Sequence, residues 1–228
     1  MLEASSSKSI TLGLTTLSPW RIWVKHSLNL ILLYPCIQGV ARLRNPMAEP
    51  IRVMGICGTF STDSANGRLL EIAFKHCESM GAECVKWDNS SPLPFVGEEG
   101  CWDDESVKSF QNTALSSDAF ILSSPEYHGT MSGVMKNNLD FLSYDQTSDK
   151  SFALMSTLGG QSNSNTLNHM RISVRWIHGW VIPEQVAVGN VRSAFDENGD
   201  LVDEKLNLRI RDMARSLIDS AEYLRSKR

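Results

Sequence analysis

From residue 51 to the end of the chain, short apolar runs alternate with longer segments in which apolar residues recur at helical spacing. Strands that alternate with amphipathic helices are typical of a parallel sheet covered by helices. The runs predicted to be strands are residues 51–57, 83–87, 119–123, 152–156 and 181–188. The pattern therefore predicts an α/β fold, in which a doubly wound, five-stranded parallel sheet carries helices on both faces.

Five further segments have the spacing of amphipathic helices. They are residues 64–80, 103–116, 133–142, 165–178 and 204–224. Gly81 directly follows the first of these helices and is expected to end it. Residues 195–203 are mostly polar and predict a turn or a short hairpin. Pro125 is expected to end the third strand, and Pro183 is tolerable only near an end of the fifth strand or on a sheet edge.

Residues 1–46 differ in composition from the rest of the chain. They contain five basic residues, one acidic residue (Glu3) and an apolar stretch at 28–41. That stretch is shorter than the roughly 20 residues of a membrane-spanning helix, so no membrane anchor is expected. Three interpretations stay open: translation starts at Met47, the segment is a plastid or mitochondrial transit peptide, or it is a secretory signal. We expect the domain to span residues 47–228 and to be cytoplasmic, or to lie in an organelle if the leader is a transit peptide.

Charge and cysteine usage argue against several classes of protein. The net charge of -4 comes without a basic stripe, so nucleic acid is not an expected partner. Five cysteines without a C-x-x-C pair fit neither a disulfide framework nor a zinc site, which indicates free thiols in a reducing compartment. Cys57 and Cys84 lie in apolar runs and are expected to fill the core. His76, His169 and His178 lack the spacing of metal ligands, so no metal site is expected.

Hydroxyl side chains crowd the loop after the first strand, residues 58–66. In an open parallel sheet, ligands bind beyond the carboxyl ends of the strands, and a loop that leads into a helix directs N–H groups at an anion. The loop, which holds Thr59, Ser61 and Ser64, is therefore a candidate phosphate site. The alternative is a helix-capping turn with spare serines. The loop matches neither G-x-x-x-x-G-K-[ST] nor G-x-G-x-x-G, which argues against an ATPase or a Rossmann dehydrogenase.

Glycines mark the loops after the third and fourth strands. Residues 124–133 combine two glycines with Tyr127, and residues 156–162 contain Gly159 and Gly160. Glycine lets a flat ligand approach the backbone closely, and a tyrosine can pack against a ring system. The alternative for the first of these loops is a tight turn with a packed tyrosine.

The second loop and the helix after it resemble the hallmark of the NADPH-dependent FMN reductase family, P-E-Y-N/H-G-S-x-x-G-x-L-K-N-A-I/L-D-W/F. The likeness lies in residues 125–129 and 133–141. The first loop is similar to the family pattern G-S-x-R-x-x-S-x-N, with Gly58, Ser64 and Asn66 in register. Thr59 replaces the usual serine, and Ser61 occupies the arginine position, which leaves a bound phosphate short of one cation. The likeness runs from residue 51 almost to the C-terminus.

The resemblance implies a flavodoxin-like fold and an FMN-dependent oxidoreductase. It implies a ping-pong reaction in which hydride passes from NAD(P)H through FMN to a flavin, a quinone, an azo dye or an oxyanion such as chromate, with no side chain needed as a catalytic acid, base or nucleophile. His128 is expected either to polarise a flavin or acceptor oxygen or to be a structural hydrogen-bonding residue. The FMN-binding residues that the resemblance implies are Gly58, Thr59, Ser61, Ser64, Ala65, Asn66, Pro125, Glu126, Tyr127, His128, Gly129, Ser156, Thr157, Gly159, Gly160 and Gln161.

Members of this family usually form homodimers or homotetramers, and the helix that begins near Gly133 is the expected contact. Trp176 and Trp180 are interpreted as core or dimer contacts. Two alternative functions stay open from the sequence. One is a flavodoxin-type electron carrier that does not oxidise NAD(P)H, although carriers need a more acidic face. The other is an interaction module that has lost FMN, for which Ser61 is the hint.

Overall fold

The computed structural model describes residues 49–61, 63–89, 92–161 and 164–228. The expectations about residues 1–46, including the start at Met47, lie outside the described residues. The strands are β1 (Arg52–Cys57), β2 (Glu83–Lys86), β3 (Ala119–Tyr127), β4 (Thr130–Met131), β5 (Ser151–Thr157) and β6 (Trp180–Val188). Five of them form a parallel sheet in the order β2-β1-β3-β5-β6, and β4 adds an antiparallel pair to β3. Counted without β4, this is the 2-1-3-4-5 order of flavodoxin-like folds, which confirms the predicted fold class.

Helices cover both faces of the sheet. They are α1 (Ala65–Ser79), α2 (Glu105–Leu115), α3 (Gly133–Asp140), α4 (Tyr144–Thr147), α5 (Ser164–Trp176) and α6 (Glu204–Arg225). The apolar residues of α1 and α6 belong to one core cluster, and those of α2, α3 and α5 belong to the other. The five predicted helices are confirmed. The sequence did not predict α4, because a single turn is too short to show helical periodicity.

The central strands are buried on both faces, which explains their nearly continuous apolar sequences. In β3, Ala119 and Ile121 face the cluster that contains α1 and α6, whereas Phe120 and Leu122 face the other. Alternation of side chains along a strand produces this division. Each core layer therefore receives every second residue of the same strand.

Pro125 does not end β3, so that prediction was wrong. The carbonyl oxygen of Ser123 accepts the N–H of Gly58, and by alternation the nitrogen of Pro125 faces the same side of the strand. Because β1 has already ended at Cys57, the missing N–H of Pro125 costs no ladder hydrogen bond. The strand continues to Tyr127 and turns back into β4.

Other local predictions are confirmed. Pro183 lies on the edge strand β6, inside a register shift that sets Val181 beside Phe152 and Gln185 beside Leu154. Gly81 follows the C-cap of α1 with a φ of 81°. An antiparallel bridge joins Phe195 to Leu201, which makes residues 195–203 a short hairpin. No helix of the described residues is long and apolar enough to cross a bilayer.

The described cysteines form no disulfide. Cys57 is buried, and Cys84 is partly buried against the cluster that contains α1, which confirms that both pack with the core. The core interpretation of the two tryptophans was wrong, because Trp176 is 75% and Trp180 is 61% exposed.

A buried lysine caps the C-terminal end of α2. The Nζ of Lys150 donates hydrogen bonds of 2.8 Å to the carbonyl oxygens of Ala114 and Leu115. Burial, reinforced by the charge of Arg228 and opposed by Asp118, lowers the pKa of Lys150 from 10.5 to about 8. The folded protein therefore releases this proton at a lower pH than the unfolded chain does.

We expect the free energy of unfolding to rise with pH between about 8 and 10.5, relative to that of a Lys150→Met variant. In this window the unfolded chain keeps a proton that the folded protein has lost, and each pKa unit corresponds to about 1.4 kcal/mol. Below pH 8 both states are protonated, so the difference between the two proteins stays constant. Urea unfolding of both proteins at about pH 7 and about pH 10 measures the effect. Equal pH dependence in the two proteins would contradict it.

Candidate functional site

The side chain of Asn66 joins the ends of two central strands to the start of α1. Its Nδ2 donates to Thr157 Oγ1 at 2.8 Å, and its Oδ1 accepts from Ser123 Oγ at 3.1 Å. Asn66 is buried, and Cys57 pairs with Ser123 while Pro125 pairs with Thr157. The carboxyl ends of β1, β3 and β5 therefore meet at one edge of the sheet. The three loops singled out in the sequence all start from this edge.

Gly58 lies where the first loop approaches β3 most closely. Its N–H donates to the carbonyl oxygen of Ser123 at 2.8 Å, and its carbonyl oxygen accepts from Ser132 Oγ at 2.6 Å. A Cβ at this position would lie 2.8 Å from the hydroxyl oxygens of both Ser124 and Ser132. Only glycine fits without displacing these hydroxyls.

The N-terminus of α1 is open to an anion. Ser64 is the N-cap, and its hydroxyl accepts the N–H of Gly67 at 3.0 Å. Helix geometry leaves the N–H groups of Ala65 and Asn66 without an intrahelical acceptor. The first turn of α1 contains no acidic residue, unlike that of α2 or α6. The positive end of the helix dipole is therefore not neutralised by its own side chains.

Asn89 supports the first loop through side-chain hydrogen bonds, and the sequence did not predict it. Its Nδ2 donates to the carbonyl oxygens of Cys57 and Thr59, and its Oδ1 accepts from Asn138 Nδ2 at 3.3 Å. Asn89 is buried although it follows a strand in a polar stretch. No periodicity marks such a residue, because its partners come from distant parts of the chain.

The neighbouring hallmark residue, Asn137, fixes the loop that follows β2. Its Nδ2 donates to the carbonyl oxygen of Pro94 at 2.9 Å, and its Oδ1 accepts the N–H of Val96 at 3.1 Å. In the same stretch Lys136 and Asp140 form an ion pair of 2.6 Å along α3. Asn137 therefore binds one of the protein's own loops, whereas Lys136 and Asp140 bind each other.

The second loop is a two-residue hairpin. Tyr127 pairs with Thr130, and the turn residues His128 and Gly129 have φ angles of 51° and 79°. Two successive positive φ angles are the signature of a type I′ turn. Tyr127 and His128 are both exposed, which leaves their side chains accessible beside the hairpin.

Side chains of the hairpin form hydrogen bonds with α5. Glu126 Oε2 accepts the N–H of Thr166 at 3.0 Å, in the first turn of α5. Thr130 Oγ1 lies 2.7 Å from His169 Nδ1. The Glu126 carboxylate is therefore occupied by a helix N-terminus.

The third loop rests on the residues that follow β6. Leu158 N–H donates to the carbonyl oxygen of Val188 at 2.9 Å, and Asn190 N–H donates to that of Gly160 at 2.6 Å. A Cβ on Gly189 would lie 2.6 Å from the carbonyl oxygen of Gln161. Sequence reasoning missed both supporting residues, although a Gly-Asn pair after a strand is itself a turn signal.

The sixteen predicted binding residues all lie at this edge, in two groups. The accessible or half-buried ones are Thr59, Ser61, Ser64, Ala65, Glu126, Tyr127, His128, Gly129, Gly159, Gly160 and Gln161. The buried ones are Gly58, Asn66, Pro125, Ser156 and Thr157. These five buried residues support the edge of the sheet from within the protein.

A cavity of about 720 Å³ lies between the first loop, the hairpin, the loop after β2 and the start of α3. Half-exposed aromatic rings line it, namely Phe60, Phe95 and Tyr127. Among the described lining residues Glu98 is the only charged one. The cavity therefore suits a flat, uncharged ring system.

Residues 51–193 match the model of a family described as NADPH-dependent FMN reductase. The chain belongs to this family. The FMN-dependent NADPH-azoreductase of Staphylococcus aureus (strain USA300) is 30% identical over 179 residues, which cover 74% of this chain and 95% of the relative.

Two solved structures share the fold. The flavoenzyme NAD(P)H:(acceptor) oxidoreductase FerB from Paracoccus denitrificans superposes with a TM-score of 0.64 at 22% identity, covering 76% of this chain and 98% of that one. An NADH:FMN oxidoreductase in its apo form gives 0.59 at 18% identity, covering 73% and 90%. At these identities the likeness concerns the fold.

Membership of the NADPH-dependent FMN reductase family makes the chain an oxidoreductase enzyme that works with FMN and with NAD(P)H as the electron donor. It does not favour the alternative of an electron carrier. The described residues fit FMN, because an open helix N-terminus suits its phosphate and exposed glycine backbone suits its flat ring.

We expect a Gly58→Ala variant to bind FMN at least tenfold more weakly and to lose about 1–3 kcal/mol of stability, because its Cβ would press on two buried hydroxyls. Fluorescence titration with FMN and urea unfolding measure the two effects. Gly133→Ala is the matched control, since no neighbouring atom lies within 4 Å of a Cβ there. Similar behaviour of the two variants would show that the close approach at Gly58 is unimportant.

Proposed function

We propose that the protein binds FMN across the three loops and transfers reducing equivalents from NAD(P)H to a neutral, flat, conjugated acceptor, a quinone or an azo compound. The observation that carries this proposal is the convergence of the loops, held by Asn66, at the carboxyl edge of the sheet. Flat phosphorylated ligands bind at this edge in doubly wound folds.

We place the phosphate of FMN at the start of α1. Thr59, Ser61 and Ser64 contribute hydroxyls to this loop, and the N–H groups of Ala65 and Asn66 point out of the helix end. The side-chain amide of Asn66 is already bonded to Ser123 and Thr157, so this residue contributes its N–H and holds the loops together.

We place the ring of FMN between the hairpin and the third loop. Gly129, Gly159 and Gly160 expose backbone there, and Tyr127 offers an exposed ring. FMN, when bound, supplies the hydride chemistry. The side chains of the protein orient the ligands, and none is required as a general acid or base. His128 belongs to the turn, which supports a structural role for it.

We place the acceptor in the aromatic cavity beside the hairpin. Phe60, Phe95 and Tyr127 favour a flat apolar molecule, whereas the Glu98 carboxylate repels an oxyanion such as chromate. Because the nicotinamide and the acceptor need the same open side, we propose that they bind in turn, as a ping-pong reaction requires.

We further propose a homodimer whose contact includes the exposed apolar residues of α5 and β6. Ile172 and Trp176 lie one turn apart and are 65% and 75% exposed, and Trp180 is 61% exposed. The helix that begins at Gly133, which the family resemblance indicated, offers a weaker apolar surface because Lys136 and Asp140 pair on it.

Under anaerobic conditions, NAD(P)H is expected to bleach the flavin band of the FMN-loaded protein, and a quinone or azo dye is expected to restore it faster than chromate does. Stopped-flow absorbance with each donor and acceptor measures these rates. A Glu98→Gln variant should reduce chromate severalfold faster with little change for quinone, because it removes the repelling charge.

Glu99→Gln is the matched control, since Glu99 is exposed and does not line the cavity. Absence of bleaching by either nucleotide would reject the reductase and leave an electron carrier. Equal effects of the two substitutions on chromate would show that the charge of Glu98 does not select against this acceptor.

For the dimer, Trp176→Glu is expected to shift the protein to a monomer, because a carboxylate would be buried without a partner in an apolar contact. Size-exclusion chromatography with light scattering measures the mass. Tyr223→Glu, on α6 at the other face of the sheet, is the control, since Tyr223 is also half exposed. An unchanged mass for Trp176→Glu would place the dimer contact elsewhere.

A further inference from the structure

A second, smaller cavity of about 270 Å³ borders the first loop on the side of β2. Its lining includes Thr59, Ser61, Gly67 and Lys86. Ser61 stands where the family pattern has an arginine. The same cavity therefore contains both the position that lost a cation and a lysine from another strand.

Lys86 lies beside the first turn of α1. It is the last residue of β2, and its Nζ is 3.9 Å from where a Cβ on Gly67 would lie. In the structure Nζ donates to Glu71 Oε1 at 2.8 Å, one helical turn further along α1. The ammonium group is thus held close to the open helix N-terminus by an ion pair that is half exposed to water.

The charge of Lys86 reaches the base of the loop. Burial raises the pKa of Cys57, the residue immediately before Gly58, and this is opposed by hydrogen bonds with Ser64 and Thr59 and, to the smallest extent, by the charge of Lys86. Lys86 is therefore close enough to act electrostatically on the residue that precedes the first loop.

A second cation among the described residues, Arg68, lies next to the loop and is held by two kinds of contact. Arg68 donates to Asp63 Oδ1 through both Nε, at 3.1 Å, and Nη2, at 2.7 Å. Its guanidinium also lies over the ring of Phe195 at 5.8 Å. Asp63 and Arg68 thus neutralise each other next to the loop.

We propose that Lys86 is the cation that binds the phosphate of FMN, and that it exchanges the carboxylate of Glu71 for that phosphate. The inference rests on the proposed placement of the phosphate at the start of α1. A phosphate dianion attracts an ammonium group more strongly than a single half-exposed carboxylate does. Lys86 therefore makes the site selective for FMN over riboflavin, which has the same ring without the phosphate.

The test measures dissociation constants for FMN and for riboflavin by quenching of flavin fluorescence. Lys86→Gln is expected to weaken FMN binding about tenfold, the range of one charge-assisted hydrogen bond, and to leave riboflavin binding unchanged. The salt dependence of FMN binding should become shallower as well. Lys75→Gln is the matched control and should bind FMN as the wild type does, because Lys75 is exposed to water and lies further along α1 from the helix N-terminus.

Two further variants sharpen the test. Glu71→Gln should bind FMN a few times more tightly, because it removes the competitor for Nζ. A Lys86→Gln/Ser61→Arg double variant should recover FMN affinity, because it returns a cation to the same cavity from the loop itself. A double variant no better than Lys86→Gln would count against the proposal.

The proposal is overturned if Lys86→Gln binds FMN as tightly as the wild type, or if it loses FMN and riboflavin equally. The second result would mean that Lys86 shapes the pocket without binding the phosphate. Wild-type protein that retained neither flavin would instead reject the placement of FMN itself, so the two failures are distinguishable.

Discussion

Two buried hydrogen bonds of the Asn66 amide hold the start of α1 against the ends of β3 and β5. A buried amide without partners is costly, so Ser123 and Thr157 are needed as much as Asn66. Satisfied polar groups in the interior fix one arrangement, since any displacement would leave a donor or an acceptor unpaired. The geometry of the binding edge therefore depends on this amide, and the loops inherit their positions from it.

The same principle extends to the loop after β2. Asn89 bonds the first loop and Asn138, while Asn137 bonds the backbone at Pro94 and Val96. Two adjacent asparagines of α3 thus bind two different loops. Asn137 belongs to the sequence hallmark of the family, whereas Asn138 stands where that hallmark has alanine, and both side chains support the site from within the protein.

Much of the fold could be predicted, because burial leaves a trace in the sequence. The long helices show apolar residues at helical spacing, the central strands show short continuous apolar runs because both of their faces are buried, and Gly81 marks the end of α1 through its left-handed backbone. The extension of β3 through Pro125 could not be predicted, because it depends on where the neighbouring strand β1 ends. The positions of the three binding loops followed from topology, which brings strand ends together whatever the loop sequence is.

The supporting residues of the site could not be predicted from the sequence for a different reason. Asn89 bonds backbone atoms of a segment far away in the chain, and no local pattern records such contacts. Gly189 is different, because the Gly-Asn pair after β6 was an available turn signal, although its close approach to Gln161 left no trace in the sequence. The surface position of Trp176 and Trp180 was equally hidden, since aromatic residues are common both in cores and at interfaces. The irregular register of β6 around Pro183 affects whether molecules can pair through their strands in concentrated solution. An outermost strand interrupted in this way cannot template a continuous ladder with another chain, and the opposite border, β2, is short and carries the charged residues Glu83 and Lys86. Both borders of the sheet are thereby protected against intermolecular strand pairing and the aggregation that follows from it.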